Sequence, residues 1–467
     1  MTQIDYLKEI AKLDDGLLNL FSSVIVIDDN LNRSIVSFQA NKKEPGHRWY
    51  KYKEGFSERL VKYLLMKYNI SSGSLFDPFA GIGTTLFVGN GLGFKTEGIE
   101  LLPVSQKIIL TRQKALFSLD DSNINTLTYW IDKKPWNNTT SATTLNRLKI
   151  TDGAYPPETE KKIEQFLTAI NKEEDIVKDL LYFALMAILE SISFTRKDGQ
   201  YLRWDYRSGR RGNENTFDKG TVYSFDEAMT SKLLEIKNDL LSLHSNNLFD
   251  ESVYNKNCEI NLYCGSTLEI MPNLKSRIYN GIITSPPYCN RYDYTRTYAL
   301  EHALLGISEK ELVSLRQALL SCTVENKPKE LLQINPKYSV PIDICNNLDL
   351  LQKILEYLEF QKRTKELNNS GIPRMVRGYF YELACVIFEC YRVLKKNGTM
   401  FMVNDNVRYA GASISVDLIL SYIAQAIGFT IENILVLPLG KGNSSQQMGG
   451  FGRDSLRKCV YVWKKEK

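Results

Sequence analysis

The dipeptide Pro286-Pro287 stands just after the apolar run 281–283. Proline cannot donate to a sheet ladder, so this run predicts a buried strand that stops before the prolines. The stiff backbone directs carbonyl oxygens outward, while Ser285 adds a hydroxyl acceptor and Tyr288 a flat aromatic face. This corner suits a planar ring with an exocyclic amino group, hydrogen-bonded to Ser285 and a proline carbonyl and stacked on Tyr288. The alternative is a tyrosine that only packs at the end of a strand.

Composition permits one large core or two to three domains, because the chain has 467 residues, 43% of them apolar and 24% charged. The net charge of +5 permits a polyanionic partner. Eight cysteines without a Cys-x-x-Cys pair and only three histidines argue against a disulfide scaffold or a metal site. We find no signal pattern at the start and no stretch apolar enough for a membrane span. We therefore expect a soluble, intracellular protein.

Strand-like and helix-like patterns alternate along the chain, which predicts an α/β sheet. The alternation is interrupted twice, first by a polar stretch around one strongly apolar helix and then by a charged, helical stretch. We interpret both as mainly helical insertions. The predicted division is 1–120 for the first half of the core, 121–255 and 306–371 for the insertions, and 256–305 with 372–467 for the second half.

The stretch DPFAGIGTT, which begins at Asp77, lies between a predicted strand and a predicted helix. Gly81 and Gly83 allow the backbone to approach a ligand closely, and the helix amino end offers free N–H groups. Glu100 ends the next predicted strand, where a carboxylate can accept hydrogen bonds from a ribose diol. A nicotinamide dinucleotide fits poorly, because Leu86 replaces the third glycine and Asp77 would repel a pyrophosphate. A ligand with a positive amino group suits Asp77; the alternative is a glycine turn without a ligand.

DPFAGIGTT and TSPPY together resemble motifs I and IV of the DNA amino-methyltransferases, which transfer methyl from S-adenosylmethionine to cytosine N4 or adenine N6. GFSERLVKYLL resembles the helix before motif I, and YRVLKKNGTMFMVND resembles the helix, turn and strand after motif IV. The resemblance implies a Rossmann-like, mostly parallel seven-stranded sheet with helices on both faces, and S-adenosylmethionine as the cofactor. It also implies double-stranded DNA as substrate, a cognate restriction endonuclease as partner, and the cytoplasm of a bacterium or archaeon.

The resemblance further implies a set of site residues. The catalytic corner is Ser285, Pro286, Pro287 and Tyr288, and the target base must rotate out of the duplex to reach it. The implied cofactor-binding residues are Asp77, Phe79, Ala80, Gly81, Gly83, Thr84, Thr85, Glu100, Ser266 and Thr284.

The first residue of the corner favours cytosine N4 as the target. Ser-Pro-Pro-Tyr is typical of the cytosine-N4 enzymes, whereas adenine-N6 enzymes more often begin with Asp or Asn. A cytosine-C5 enzyme is disfavoured, because its nucleophilic cysteine follows a proline and no Pro-Cys dipeptide occurs here. Two features depart from the pattern: motif I precedes motif IV, and Gly265 stands where an acidic residue is common. The leading interpretation is a site-specific cytosine-N4 DNA methyltransferase; the alternatives are an adenine-N6 enzyme and a catalytically silent DNA-binding specificity protein.

The stretch 193–217, in the larger insertion, interleaves cations, aromatic rings and glycines, which is typical of a loop that contacts phosphates or base edges. A solvated loop with internal ion pairs is the alternative. Two further candidates are 290–298, whose rings are expected to line or support the target-base pocket, and the glycine-rich stretch 440–453. The predicted DNA-binding residues are Arg196, Lys197, Arg203, Trp204, Arg207, Arg210, Arg211, Arg291 and Arg453.

Overall fold

The computed structural model describes residues 2–198, 202–210, 217–245, 259–438 and 456–467. Two predicted DNA-binding residues, Arg211 and Arg453, lie outside the described residues, as does the whole stretch 440–453. Within the described ranges, no helix is both long and apolar enough to cross a membrane.

A central sheet of eight strands organises the described chain. The strands in chain order are β1 (Ile25–Ile27), β2 (Ser74–Asp77), β3 (Lys95–Glu100), β4 (Thr195–Lys197), β5 (Leu202–Trp204), β6 (Ile260–Cys264), β7 (Tyr279–Thr284), β8 (Leu394–Asp405), β9 (Val407–Tyr409), β10 (Ala412–Ile414), β11 (Thr430–Val436) and β12 (Lys458–Lys464). The sheet order is β1-β11-β12-β8-β7-β2-β3-β6, and only β12 runs antiparallel to its neighbours. The predicted Rossmann-like α/β fold is confirmed, with one strand more than expected because the short β1 pairs with the edge of β11.

The helices account for the remaining regular structure of the described chain, apart from short 3-10 turns. In chain order they are α1 (Gln3–Phe21), α2 (Glu58–Lys67), α3 (Thr84–Gly91), α4 (Pro103–Ser118), α5 (Asp121–Lys133), α6 (Pro157–Ile170), α7 (Asp175–Ile192), α8 (Phe225–Ser245), α9 (Thr267–Ile270), α10 (Tyr294–Thr297), α11 (Ala299–Leu304), α12 (Glu309–Ala318), α13 (Leu331–Ile334), α14 (Ser339–Asn346), α15 (Asp349–Arg363), α16 (Ile372–Val393) and α17 (Val416–Ile427). α2 begins where the sequence predicts, because the Ser57 hydroxyl caps it by accepting a hydrogen bond from the Leu60 N–H at 3.4 Å.

Helices cover both faces of the sheet, because successive side chains of a strand point to opposite sides. Leu75 of β2 and Ile283 of β7 belong to an apolar cluster with α2 and α3. Their neighbours Phe76 and Ile282 belong to the cluster formed with α16 and α17. All four side chains are completely buried. Short apolar strands of this kind are stable only between two helical layers, as the sequence predicted.

The chain between α4 and β6 packs directly on the core helices α3 and α4. The apolar helix α7 contacts α4, and Leu180 and Leu181 share one cluster with Leu86 of α3 and Ile109 of α4. The antiparallel hairpin β4–β5 follows α7 and carries several of the predicted DNA-binding residues. The division into a core and two insertions stays a prediction, whereas the continuity of this apolar core is observed.

Asp239, on α8, ties this helical region to the residues that precede α2. Its buried carboxylate accepts hydrogen bonds from the Gly46 N–H and the Trp49 indole N–H, each at 2.9 Å, and pairs with Arg48. Three residues of one short segment thus donate hydrogen bonds to one buried carboxylate.

We expect Asp239→Ala to reduce the free energy of unfolding by about 2 kcal/mol, because it leaves buried donors without an acceptor. Thermal unfolding of the two proteins measures this loss. Asp152→Ala is the matched control, since Asp152 is exposed and its backbone carbonyl, which the substitution keeps, accepts the hydrogen bond from Arg210. Equal unfolding midpoints for the two variants would contradict the structural role of Asp239.

Candidate active site

The ends of β2 and β7 meet at one edge of the sheet, because the two strands are parallel neighbours. Asp77 ends β2 and Thr284 ends β7, and the Thr284 hydroxyl donates a hydrogen bond to Asp77 Oδ1 at 2.7 Å. Gly81, in the bend after β2, and Ser285, in the corner after β7, line one cavity. The two sequence motifs therefore face a shared space.

The bend after β2 requires glycine for two reasons. Gly81 and Gly83 have φ angles of 57° and 79°, in the left-handed region that favours glycine. A Cβ on Gly81 would lie 3.3 Å from the ring of Tyr52, and one on Gly83 would lie 3.0 Å from the ring of Phe87. The Gly81 N–H also donates to Glu100 Oε2 at 2.7 Å, so the last residue of β3 supports the bend.

Three carboxylates, Glu54, Asp77 and Glu100, line the cavity, and none of the described residues in its wall is Lys, Arg or His. Burial raises the pKa of Asp77 to about 6, against hydrogen bonds such as that from Thr284, which lower it. Burial, with the nearby charge of Asp77, raises the pKa of Glu100 to about 7. Burial raises the pKa of Glu54 as well. Because a buried carboxylate without a cation is costly, the cavity suits a ligand that brings positive charge.

The corner after β7 holds Ser285 at the cavity wall. Ser285 Oγ lies 3.0 Å from Tyr288 Oη and 3.3 Å from the carbonyl oxygen of Val403 on β8. Pro287 lines the cavity, whereas Pro286 is buried and Tyr288 is not among the lining residues. Burial raises the pKa of Tyr288 above its ordinary value, so the phenol is protonated at neutral pH.

The predicted cofactor-binding residues fall into two groups. Those that line the cavity are Asp77, Phe79, Ala80, Gly81, Thr84, Glu100 and Ser266. Gly83, Thr85 and Thr284 lie behind this wall, where Gly83 is the N-cap of α3 and the Thr85 hydroxyl donates to the Ile283 carbonyl at 3.1 Å. These three residues shape the bend and the corner from behind.

Sequence reasoning missed much of the remaining wall. Two missed groups are the pair Tyr52 and Glu54, ahead of α2, and the run Ala318, Leu319 and Leu320, at the end of α12. The second group brings the predicted insertion 306–371 to the cavity. These residues reach it through packing between distant parts of the chain, which a local pattern does not show. The one local signal was the apolar pair Leu319-Leu320, which follows the charged residues of α12.

Lys197 corrects the predicted set of DNA-binding residues. Its side chain is buried, pairs with Glu301 and lies over the rings of Tyr50 and Tyr298. The reason is the buried Glu301 carboxylate on α11, which needs a cation. Lys197 is therefore part of the interior rather than of a surface that meets DNA.

Two arginine–aromatic pairs of the hairpin region stack near the surface. Arg196 and Arg203 are exposed, and the Arg203 guanidinium lies 4.0 Å from the ring centroid of Phe217. The exposed Arg210 lies 3.9 Å from the ring centroid of Trp204. Cations and rings are thus interleaved in space as they are in the sequence.

Arg207 and Arg291 have partners within the chain. Arg207 pairs with the buried carboxylate of Asp205, which agrees with the ion-paired alternative for this position. Arg291 donates to Asn368 Oδ1 at 3.0 Å and so links the loop after the corner to the second insertion. Tyr294, at the start of α10, lines the cavity. That the rings of 290–298 line or support a target-base pocket stays a prediction.

A mostly parallel sheet with a glycine bend and a Ser-Pro-Pro-Tyr corner around one cavity defines the class of methyltransferases that act on amino groups of DNA bases. No family model matches the chain. It is 54% identical over 461 residues to type II methyltransferase M.AvaI of Nostoc sp. (strain PCC 7120 / SAG 25.82 / UTEX 2576) and of Anabaena variabilis, over 98% of this chain and 95% of each relative. It is 40% identical over 462 residues to type II methyltransferase M.BsoBI of Geobacillus stearothermophilus, over 94% of this chain and 89% of the relative. The chain belongs to the type II DNA methyltransferases of restriction–modification systems.

The raised pKa of Glu100 predicts a pH dependence of stability. As the pH falls from about 8 to about 5.5, the folded ligand-free protein binds a proton at Glu100 that the unfolded chain does not bind. This group therefore stabilises the protein by about 2 kcal/mol more at the lower pH, and Glu100→Gln removes that gain. Thermal unfolding at both pH values measures the difference between variant and wild type.

The matched control is Glu158→Gln, at an exposed carboxyl on α6. It is expected to keep the pH dependence of the wild type. A Glu100→Gln protein with the same pH dependence as the control would contradict a raised pKa at Glu100.

Proposed function

We propose that this methyltransferase transfers methyl from S-adenosylmethionine to the N4 amino group of a cytosine rotated out of double-stranded DNA. The observation that carries the proposal is the shared cavity of Ser285 and Gly81, at the edge where β2 and β7 end. The names of the relatives support DNA as the substrate. A restriction endonuclease with the same recognition sequence is the partner that we propose.

The lining of the cavity suits S-adenosylmethionine. Its carboxylates, without a basic residue in the described wall, suit a ligand with a sulfonium and an ammonium group. We assign the sulfonium group to the side of Asp77 and the ribose diol to Glu100. The apolar side chains of Ile99, Leu268 and Leu320 suit the flat adenine ring.

The corner would make the amino group of the base a better nucleophile. The lone pair of this nitrogen is delocalised into the ring, and acceptors for both N–H bonds localise and orient it. Ser285 Oγ and the Pro286 carbonyl are the acceptors that we propose. The Val403 carbonyl, 3.3 Å from Ser285 Oγ, can accept a hydrogen bond from the serine hydroxyl. The Oγ lone pairs are then available to accept a hydrogen bond from the base. A bound S-adenosylmethionine supplies the electrophilic methyl carbon and its leaving group.

Tyr288 is the proposed stacking partner of the rotated base. Taking a base out of the duplex costs a few kcal/mol, and stacking in the pocket offsets part of this cost. Tyr288 Oη lies 3.0 Å from Ser285 Oγ, and this contact supports a ring held beside the hydrogen-bond acceptor. No strong base is required from the chain, because the amino proton becomes acidic once the nitrogen carries a methyl group.

We propose that the hairpin β4–β5 contacts the DNA backbone beside the cavity. Lys53 Nζ donates to the carbonyl of Lys197 on β4 at 2.7 Å, and the next residue, Glu54, lines the cavity. Lys53 therefore links this hairpin, with its exposed Arg196 and Arg203, to the segment that lines the cavity. Exposed arginines on such a hairpin suit the phosphates of a duplex whose target base has entered the site.

We expect Ser285→Ala to lower methyl transfer to DNA by about 100-fold or more, because it removes one of two acceptors for the reacting amino group. Cofactor affinity should change by less than about 3-fold, since Asp77 and Glu100 remain. Incorporation of labelled methyl groups into DNA and calorimetric titration measure the two quantities. Ser22→Ala, at the exposed end of α1, is the control. Wild-type transfer rates in Ser285→Ala would contradict the proposed role.

The identity of the methylated nucleoside decides between the functions considered for this family. Nuclease digestion of DNA methylated by the wild-type protein, followed by mass spectrometry, should yield N4-methyldeoxycytidine. N6-methyldeoxyadenosine in its place would establish the adenine-N6 alternative. DNA binding without either product would favour a catalytically silent specificity protein.

We expect Arg196→Ala and Arg203→Ala each to weaken DNA binding about 3-fold to 10-fold and to lower the slope of log K against log salt by about one per lost phosphate contact. Fluorescence anisotropy with duplex DNA across a salt series measures both effects. Lys8→Ala is the matched control, because Lys8 is exposed on α1, which packs on α15 and α17. Arginine variants that bind like this control would contradict the hairpin as a DNA contact.

A further inference from the structure

Glu54 is a cavity-lining carboxylate with unusual neighbours. The Tyr292 hydroxyl donates to Glu54 Oε1 and the Tyr298 hydroxyl donates to Glu54 Oε2, so each oxygen has one neutral donor. Both tyrosines belong to the loop and helix that follow the catalytic corner. The side chain is half-buried and lines the same cavity as Ser285 and Asp77.

No cation of the described chain pairs with Glu54. Two lysines lie nearby but are engaged elsewhere: Lys53 Nζ donates to the Lys197 carbonyl, and the Lys197 ammonium pairs with Glu301. The described ion pairs likewise include none with the other two cavity carboxylates. A partly buried carboxylate that accepts hydrogen bonds only from neutral donors is stabilised when a cation binds beside it.

The other two carboxylates have partners that account for their positions. Glu100 accepts the Gly81 N–H with one oxygen and the Leu102 N–H with the other, each at 2.7 Å, and so supports the bend. Asp77 accepts a hydrogen bond from the Thr284 hydroxyl. Thr284 directly precedes Ser285 of the corner, beside which the methyl group would be transferred. Glu54 is the third acidic group of the cavity wall, which also includes the rings of Tyr52 and Tyr294. A methyl donor with two cationic groups thus finds a carboxylate for each.

We propose that Glu54 binds the α-ammonium group of the methyl donor and, through Tyr292, fixes the loop after the catalytic corner when the donor is bound. The inference rests on the proposed function, because it assumes S-adenosylmethionine in this cavity. Glu54 is thereby a cofactor-binding residue that also positions the wall between donor and target base.

The test removes the amino group from the ligand and the carboxylate from the protein in turn. The probes are S-adenosylhomocysteine, which keeps the ammonium group without a sulfonium, and its analogue in which hydrogen replaces the α-amino group. In the wild-type protein, loss of the amino group should weaken calorimetric binding about 10-fold to 100-fold. In Glu54→Gln, S-adenosylhomocysteine should bind weakly and the ratio between the two probes should fall below about 3-fold.

Two variants control for structural effects. Glu44→Gln changes a carboxylate that pairs with the exposed Arg59 outside the cavity wall, and it should keep the wild-type ratio. Tyr292→Phe removes one donor to Glu54 but keeps the carboxylate, so it should also retain a ratio of about 10-fold or more.

Four results would overturn the inference. An undiminished ratio in Glu54→Gln with wild-type affinity for both probes would remove the proposed contact, and equal weakening of both probes would show that Glu54 only supports the cavity. A ratio that collapses in Asp77→Asn and not in Glu54→Gln would assign the ammonium to Asp77. If neither probe binds the wild-type protein, the proposed cofactor fails, and the role of Glu54 fails with it.

Discussion

The parallel pairing of β2 with β7 is the constraint on which the site depends. Leu75 pairs with Gly281 and Phe76 with Ile282, and this register brings Asp77 to the Thr284 hydroxyl. A slip of one residue would turn every side chain of one strand to the other face and separate these groups. The apolar layers on both faces oppose such a slip, so the packing of the core also fixes the distance between the bend and the corner.

The cavity stores unfavourable electrostatic energy in the ligand-free protein. Asp77 and Glu100 are buried with neutral donors only, and burial raises the pKa of both groups. A cationic ligand relieves this cost, so its binding stabilises the folded state by more than its direct contacts alone. This electrostatic cost arises where the proposed ligand would bind, at the ends of two strands whose apolar side chains Leu75, Phe76, Ile282 and Ile283 are completely buried.

Local features of the sequence predicted the bend, the corner and their shared edge, because each follows a strand whose pattern spans few residues. Features that depend on distant contacts were not predictable in this way. Leu319 and Leu320 line the cavity from the end of α12, within the predicted insertion 306–371. Lys197 turns inward because Glu301, about a hundred residues later, needs a cation. β1 adds an eighth strand through three residues that no motif marks.

The inward side chain of Lys197 connects the hairpin to the wall of the cavity. Lys197 Nζ donates to Tyr50 Oη at 3.1 Å and lies 4.4 Å from the ring centroid of Tyr298, whose hydroxyl holds Glu54. The residue before it, Arg196, is exposed on the same short strand. A backbone shift in the hairpin would therefore disturb a buried ion pair and a cavity carboxylate together, at the cost of an unpaired charge. Lys197 thus joins the hairpin to the cavity wall, so the proposed contacts of the hairpin with DNA would act on the cavity through this residue.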